Sequence, residues 1–532
     1  MTRAQESTPS WGTGRTPVAA RRGLVSTGHP LATAAGLGIL QAGGNAFDAA
    51  IAAAAVIAVV EPNTNQVGGD VFALCLPTGR DEVVAINASG PAPAADAPGN
   101  YPQGIPTKGA SASTVPGAVH AWETITRSFG SMPMATLLQP AIAYASEGFP
   151  VDHALEKSVS GAAAALGQFP SSSAVFLAGG NSPRAGQVLV QSDLGGTLRA
   201  IADGGADAFY RGPFANALAK AGGGFTREDL HGYACEVTQP LRTFYRGWEV
   251  IEQPLPSQGF VVLEQLNILE GFDLAAEEFG SAETLHLFVE AKKLAYADRL
   301  AHIGDPRFTT SPIAAILSKE FAAQRRMMLD RARASKTPRA GDPSLMGTDT
   351  TAISAADADG NAVTFIQSVF HGFGSAFVVP GTGVLLNNRR TGFSLDAASP
   401  NVLAGGKRPV HTLNTYMVRR EGRLSFMGGS PGGHYQIQTN VQLITDIIDF
   451  GMHIQEAVDA PRWYHTEDTG QVMLESRFDP ATGGVLRSRG HDVMWAPPWT
   501  GTSRAQIIGF DPDTGVMFGA TDPRWHGQVL GF

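Results

Sequence analysis

The chain has 532 residues, 43% hydrophobic and 16% charged, with a formal net charge of −9. That length and balance describe a globular protein with a sizeable core. The acidic excess, with no basic stripe, excludes a nucleic-acid binder, which needs clustered Lys and Arg against phosphates. Cys75 and Cys235 are the only two cysteines; they support neither a disulfide framework nor a thiolate metal site, and each reads as a small buried hydrophobe.

Residues 1–22, rich in Ser, Thr, Pro and Gly, read as a flexible or draped arm. The arm has no apolar stretch of the kind a secretory signal carries. The longest apolar run, residues 49–60, is too short to cross a bilayer, which takes about 20 residues. A cytoplasmic protein with no membrane contact is expected. Residues 29–43 predict a helix stopped by Gly43 and Gly44. Residues 43–62 predict a second helix, capped by Asn45 or Asp48, filled with alanine and ended by Pro62. Apolar side chains surround it almost completely, so it belongs in the core.

Gly68 and Gly69 lead into a strand over residues 71–76, with a partner over 82–88. The glycine pair could cradle an anion, although no Lys or helix follows it. Residues 115–300 are mostly helical in pattern. Residues 245–253 read as one strand entering a Pro-rich loop at 254–259. The clearest boundary is a polar linker over 331–347.

The next stretch, residues 347–368 (GTDTTAISAADADGNAVTFIQS), alternates on both sides of an Asp/Gly/Asn turn and predicts a β-hairpin. If the bond before Thr350 were cut, that residue would carry a hydroxyl nucleophile. Its own α-amine, of pKa about 7.7–8.0, would serve as the base. The plain alternative is a surface hairpin whose threonines serve strand propensity. Beyond it, strands are expected over 375–380, 383–388 and 415–429, helices over 435–451 and 454–460, then alternating strands and turns. The thirteen histidines show no paired ligand spacing, so no metal is expected. In GGSPGGH, residues 428–434, Gly432 and Gly433 precede a helix, where backbone N–H groups favour negative charge. They could form an oxyanion hole; a tight turn is the alternative.

Many ordered segments, among them GGNAFDAAIAAAAVIAVVEP, STVPGAVHAW, PLPSQGF, EAKKLAYADR, DTTAISAADADGNAV, KRPVHTLN, GGSPGG, DAPRWYH and ATDPRWHG, give a chain that resembles the γ-glutamyltransferases. These are threonine members of the N-terminal-nucleophile hydrolases, and the match runs from about residue 23 to 532. The resemblance implies an α+β fold, a four-layer αββα sandwich, and a precursor that cuts itself between Asp349 and Thr350. The products would be residues 1–349, with the arm 1–22 ahead of a large segment 23–349, and a small segment 350–532. The two fragments would stay associated in one intertwined domain. Thr350 Oγ would attack first its own preceding carbonyl and later a substrate amide. Ser368 would support it, where the family usually has a second threonine. Thr351 would help orient it, and Gly432 and Gly433 would hold the oxyanion. No cofactor is implied.

The departures concern the acyl pocket. Where glutamate-recognising members carry an arginine, this chain has Ser89. Where they carry an asparagine, it has Phe370. The Gln and Asp of their NNQ-x-x-D pattern align with Arg389 and Gly392, and their serine pair with His411 and Thr412. A site that loses the partners of a zwitterion no longer suits it. Arg389, Arg390 and His411 offer positive charge, and Phe370 an apolar wall. The expected activity is hydrolysis of a small carboxylate-bearing amide, with an oxamate-like or dicarboxylic acyl group. The alternatives are a true γ-glutamyltransferase or glutathione hydrolase with a modified pocket, and an inactive binding homologue. A homodimer is compatible with the sequence.

Overall fold

The computed structural model describes residues 12–335, 349–501 and 503–532. The predicted linker therefore lies outside the described residues from 336 onward. So do residues 1–11 of the predicted arm. The rest of that arm is tied down: Thr13 hydrogen-bonds Asp459, and Val18–Ala20 pair antiparallel with Met517–Thr521.

Two seven-stranded antiparallel sheets face each other. The first runs, in spatial order, Gln528–Gly531, Gly23–Thr27, Asp349–Asp357, Ala362–Phe370, Asp70–Leu76, Val84–Ala88 and Glu236–Thr238. The second runs Val18–Ala20, Met517–Thr521, Gln506–Phe510, Arg423–Gly429, Thr415–Arg420, Trp248–Glu252 and Leu241–Tyr245. Leu24, Leu74, Ala356, Met417, Met427 and Ile508 fill the space between the sheets. The outer face of the first sheet, with Val25, Ile353, Val363 and Phe365, is covered by helices. Helices Gly259–Leu269, Ala282–His302 and Gln436–Ile448 cover the outer face of the second. This is the αββα sandwich expected. Both sheets take strands from each side of the Asp349–Thr350 bond, so cutting that bond would leave the fragments interleaved.

Helix Ala46–Val60 follows the sequence expectation closely. Asn45 caps it in a capping box with Asp48, and every one of its residues is buried. Its alanines allow close approach to helix Pro30–Gln41 and to the first sheet, where a larger side chain would overpack the layer.

Three local expectations change. The strand expected over 245–253 is present as Trp248–Glu252, but it begins only after a tight turn at Arg246 and Gly247, which take positive φ, 53° and 80°, and it pairs with a preceding strand, Leu241–Tyr245. Residues 375–380 and 383–388 are loops joined by one isolated bridge, Val378 to Leu385. Backbone bonds link Ser375 N to Leu386 O, Leu386 N to Phe377 O and Val379 N to Val384 O, while at Val378 side chains take over: Ser171 Oγ donates to Val378 O, and Ser172 Oγ accepts from Val378 N. Residues 480–488, expected among strands and turns, form helix Pro480–Ser488, capped by Asp479.

Gly68 and Gly69 make a backbone crossing and not an anion cradle. A Cβ on Gly68 would lie 2.1 Å from Leu385 O, and one on Gly69 2.4 Å from Ser368 O. Two chains pass so closely there that only hydrogen fits.

Candidate active site

The hairpin forms as predicted, from Asp349–Asp357 and Ala362–Phe370. Its register is irregular at one place only. Asp349 opposes Phe370 and Thr351 opposes Gln367, so Ser368 and Val369 together face Thr350. This is a β-bulge, a device that ends regular pairing and re-aims side chains. Val369 instead donates to Thr64 O and accepts from Asn388 N. Phe370 takes φ 87°, a left-handed conformation that costs a non-glycine residue about 1–2 kcal/mol. Its N–H donates to Ser368 Oγ at 2.8 Å. Thr350 and Ser368 are both buried.

Alternation then sorts the neighbours. Thr351 points toward the helix layer with Ile353 and Ala355. Its hydroxyl donates to Glu61 Oε2 at 2.9 Å and lies 3.0 Å from Thr64 Oγ1. Glu61 closes the C-terminus of helix Ala46–Val60. Its other oxygen accepts from Trp525 Nε1 and His526 Nε2, each at 3.2 Å. Burial acts to raise the Glu61 carboxyl, but the His526 hydrogen bond, the charges of His29 and His526 and the Thr351 hydroxyl outweigh it and hold it below its ordinary value. Residue by residue, nothing in the sequence marked Glu61. The Pro62 that follows it was visible as a helix stop, and a carboxylate at that stop was the available signal.

Ser368 pairs with Asp70 across the next strand, and Asp70 organises the predicted pocket. Arg389 Nε lies 3.2 Å from Asp70 Oδ2, and Arg389 NH1 donates to Thr412 Oγ1 at 3.2 Å. The guanidinium stacks 4.4 Å from the Phe370 ring centroid. Its NH2 has no hydrogen-bond partner among the described residues. Burial pulls Arg389 down to about 10, with Asp70 opposing, so it remains charged at neutral pH. His411 Nε2 lies 3.4 Å from the same Asp70 oxygen without completing a hydrogen bond. Burial, and then the charge of Arg389, push His411 down to about 4, so it is neutral. Its Nδ1 accepts from Leu413 N, which leaves the proton on Nε2, toward Asp70.

The cluster of positive charge expected from the sequence is therefore corrected. Arg390 turns away from the site: it bonds Ser113 O, Tyr101 OH and Gly223 O and pairs with Asp96. His411 is neutral, and Asp70 offsets Arg389. Ser89 is buried beside the pocket, but its hydroxyl donates to Asn87 Oδ1 at 2.7 Å. The N–H of Gly90 reaches Asp70 Oδ1 at 3.1 Å. Asp70 was visible only as the residue after Gly68-Gly69, and no local pattern tied it to Arg389.

Gly432 and Gly433 take φ 124° and 57°, and lead into helix Gln436–Ile448 through a short turn. Among the described residues neither N–H has a backbone acceptor. Gln258 Nε2 bridges this loop to the pocket, donating to Gly433 O at 3.1 Å and Thr412 O at 2.9 Å. The polar chain thus runs Gly433, Gln258, Thr412, Arg389, Asp70, with Ser368 beside Asp70 and Thr350 across the bulge. Among the described residues, no helix is long and apolar enough to cross a membrane.

The family model described as gamma-glutamyltranspeptidase matches residues 32–532. The chain belongs to that family. The acylase ACY 1 proenzyme of Pseudomonas sp. strain SE83 is 37% identical to this member over 95% of its chain and 92% of the relative. The oxamate amidohydrolase proenzyme of Klebsiella pneumoniae is 37% identical over 96% and 98%. Cephalosporin acylase from Bacillus halodurans has the same architecture, with a TM-score of 0.91, 37% identity and coverage of 100% and 99%. This γ-glutamyltranspeptidase-family protein is an autoprocessed amidohydrolase of the N-terminal-nucleophile class.

Proposed function

We propose that the Asp349–Thr350 bond is the processing site, that Thr350 is the nucleophile, and that the mature enzyme hydrolyses a small amide whose acyl group carries a carboxylate. The observation that carries the acyl preference is the Arg389 NH2 group, buried against Phe370 and without a hydrogen-bond partner among the described residues. Asp70 and Thr412 take the other sides of the guanidinium, so the two N–H donors of NH2 remain for the acyl carboxylate.

In this mechanism the Thr350 hydroxyl attacks its own preceding carbonyl, giving an ester that water opens. The freed α-amine then takes the hydroxyl proton as Thr350 Oγ attacks the substrate amide. The N–H groups of Gly432 and Gly433 hold the oxyanion. The amine passes its proton to the leaving group, and water resolves the acyl-enzyme to acid and free threonine.

The Gly432–Gly433 geometry and the bulge at Thr350 support this reading, and so do relatives whose names carry acylase, amidohydrolase and proenzyme. The test is a denaturing gel with a panel of amides. Wild-type protein is expected to split at residue 350, and Thr350→Ala to remain whole and inactive. Splitting of the Thr350→Ala chain would overturn the assignment. Faster turnover of a γ-glutamyl amide than of oxamate and dicarboxylic monoamides would replace the acyl preference with a γ-glutamyl one.

A further inference from the structure

A second buried cation lies behind the Arg389 turn. Helix Ala282–His302 presents Tyr296 and Arg299, three residues apart and so on one face. The Tyr296 hydroxyl is 3.2 Å from His434 Nδ1, in the loop that carries Gly432 and Gly433. Arg299 is 2% exposed, and its guanidinium lies 5.0 Å from the Tyr296 ring centroid. Its Nε and NH2 have no hydrogen-bond partner among the described residues.

Arg299 lines a cavity of about 110 Å³, together with Gly392, Phe393, Ser394, Ser399 and Val410. Gly392 ends the turn Arg389–Gly392, and Val410 precedes His411, so two walls of the cavity belong to segments that build the acyl pocket. Among the described residues no carboxylate lines it; the neighbouring Asp298 pairs with Arg325. Ser394 Oγ accepts from Asp396 N, and Ser399 Oγ accepts from Asn401 N, each at 3.1 Å. With those acceptor positions used, each hydroxyl keeps its proton to donate. Asn401 is consumed, donating to Gly392 O and accepting from Val410 N. The polar side chains of the lining therefore offer hydroxyl donors and one positive charge. Buried charges are ordinarily paired, because an unpaired one forfeits its hydration without return. At about 30 Å³ per water, the space suits a group the size of a carboxylate or phosphate.

We propose that this cavity is an anion subsite built on Arg299 that takes a small oxyanion. The oxyanion is either a second carboxylate of the substrate or a free inorganic anion. The substrate arm rests on the function proposed above; the free-anion arm does not. The first measurement is calorimetric titration with inorganic phosphate, on processed wild-type protein and on the uncut Thr350→Ala chain, which needs no turnover. Saturable binding is expected in both. It should weaken at least tenfold in Arg299→Met and be partly recovered in Arg299→Lys, with thermal melting used to show that each variant folds.

The second measurement compares kcat/KM for two amides that differ only in a distal carboxylate or carboxamide. A carboxylate-to-carboxamide ratio that falls at least tenfold in Arg299→Met identifies the occupant as substrate. A constant ratio, with Arg299-dependent phosphate binding, identifies it as a free anion. Phosphate binding that is absent, or equally tight in wild type and Arg299→Met, together with a constant ratio, overturns the subsite. Failure of the Thr350 assignment would show separately, as splitting of the Thr350→Ala chain, whatever the phosphate titration gives.

Discussion

The Asp70–Arg389 pair offers a demanding test, because both side chains are buried, at 0% and 3% exposure, with Nε and Oδ2 3.2 Å apart. Removing one partner leaves a charge with neither water nor counter-ion, which costs about 3–5 kcal/mol. Native domains have about 5–15 kcal/mol of stability in total. Replacing both partners by neutral groups of similar shape removes the unpaired charge, and such double changes are often close to neutral. In the Thr350→Ala background, where the chain stays in one piece, Arg389→Met and Asp70→Asn should each lower unfolding stability by about 3–5 kcal/mol. The double variant should recover most of that, losing only about 1–2 kcal/mol where strict additivity of the singles would give about 6–10 kcal/mol.

A second signature separates the pair from plain packing. Arg389 is one cause of the low His411 value, and Asp70 acts to raise it. In Arg389→Met, His411 should therefore take a proton more readily and stand in for the missing cation, so the deficit should shrink on acidification toward pH 5. Urea unfolding at pH 5 and pH 7.5 measures both effects. A loss under 1 kcal/mol for Arg389→Met, or strict additivity in the double variant, would refute the argument.

Acid should also destabilise the wild-type chain through His411. Its folded value is about 4, against 6.5 in water. The unfolded chain binds the proton first, so this contribution is fully present above pH 6.5. It falls as pH drops toward 4, by up to about 3 kcal/mol. His411→Asn should flatten that part of the curve, and an unaltered curve would exclude His411 as its source. Thr351→Val, which removes the hydroxyl from charged Glu61, should slow self-cleavage by about 10–100-fold, the equivalent of a hydrogen bond worth about 1.5–3 kcal/mol. Thr351→Ser should cleave near the wild-type rate, and equal rates for the two variants on denaturing gels would count against Glu61 as a positioning residue. Gly68→Ala should fail to yield folded protein, because its Cβ would meet Leu385 O at 2.1 Å. Gly38→Ala, in a helix with nothing within 4 Å of the added atom, should raise the melting point through about 0.5–1 kcal/mol.

Features written in short stretches of chain were legible without coordinates. The alternation around Asp357–Asn361 predicted the hairpin, and the alanine-rich run between Asn45 and Pro62 predicted the central helix. Arg246–Gly247 was less legible, because the turn uses an arginine in a left-handed conformation where Asn-Gly would have announced a hairpin. Residues 375–388 have strand composition and keep a few backbone bonds to each other, yet Ser171, Ser172 and Ser375 and the crossing at Gly68 interrupt a regular ladder.

By itself the sequence determined the family, the sandwich and the threonine at the start of the hairpin, because these follow from local periodicity and from ordered motifs. Only the tertiary structure decided the character of the pocket. Asp70 meets Arg389 across 319 positions, and Glu61 meets Thr351 across 290. Arg390, one residue from Arg389, leaves the site altogether. The reason is register. Which side chains share a face of two stacked sheets depends on how distant strands align, and one bulge opposite Thr350 sets that alignment where the chemistry is proposed to occur.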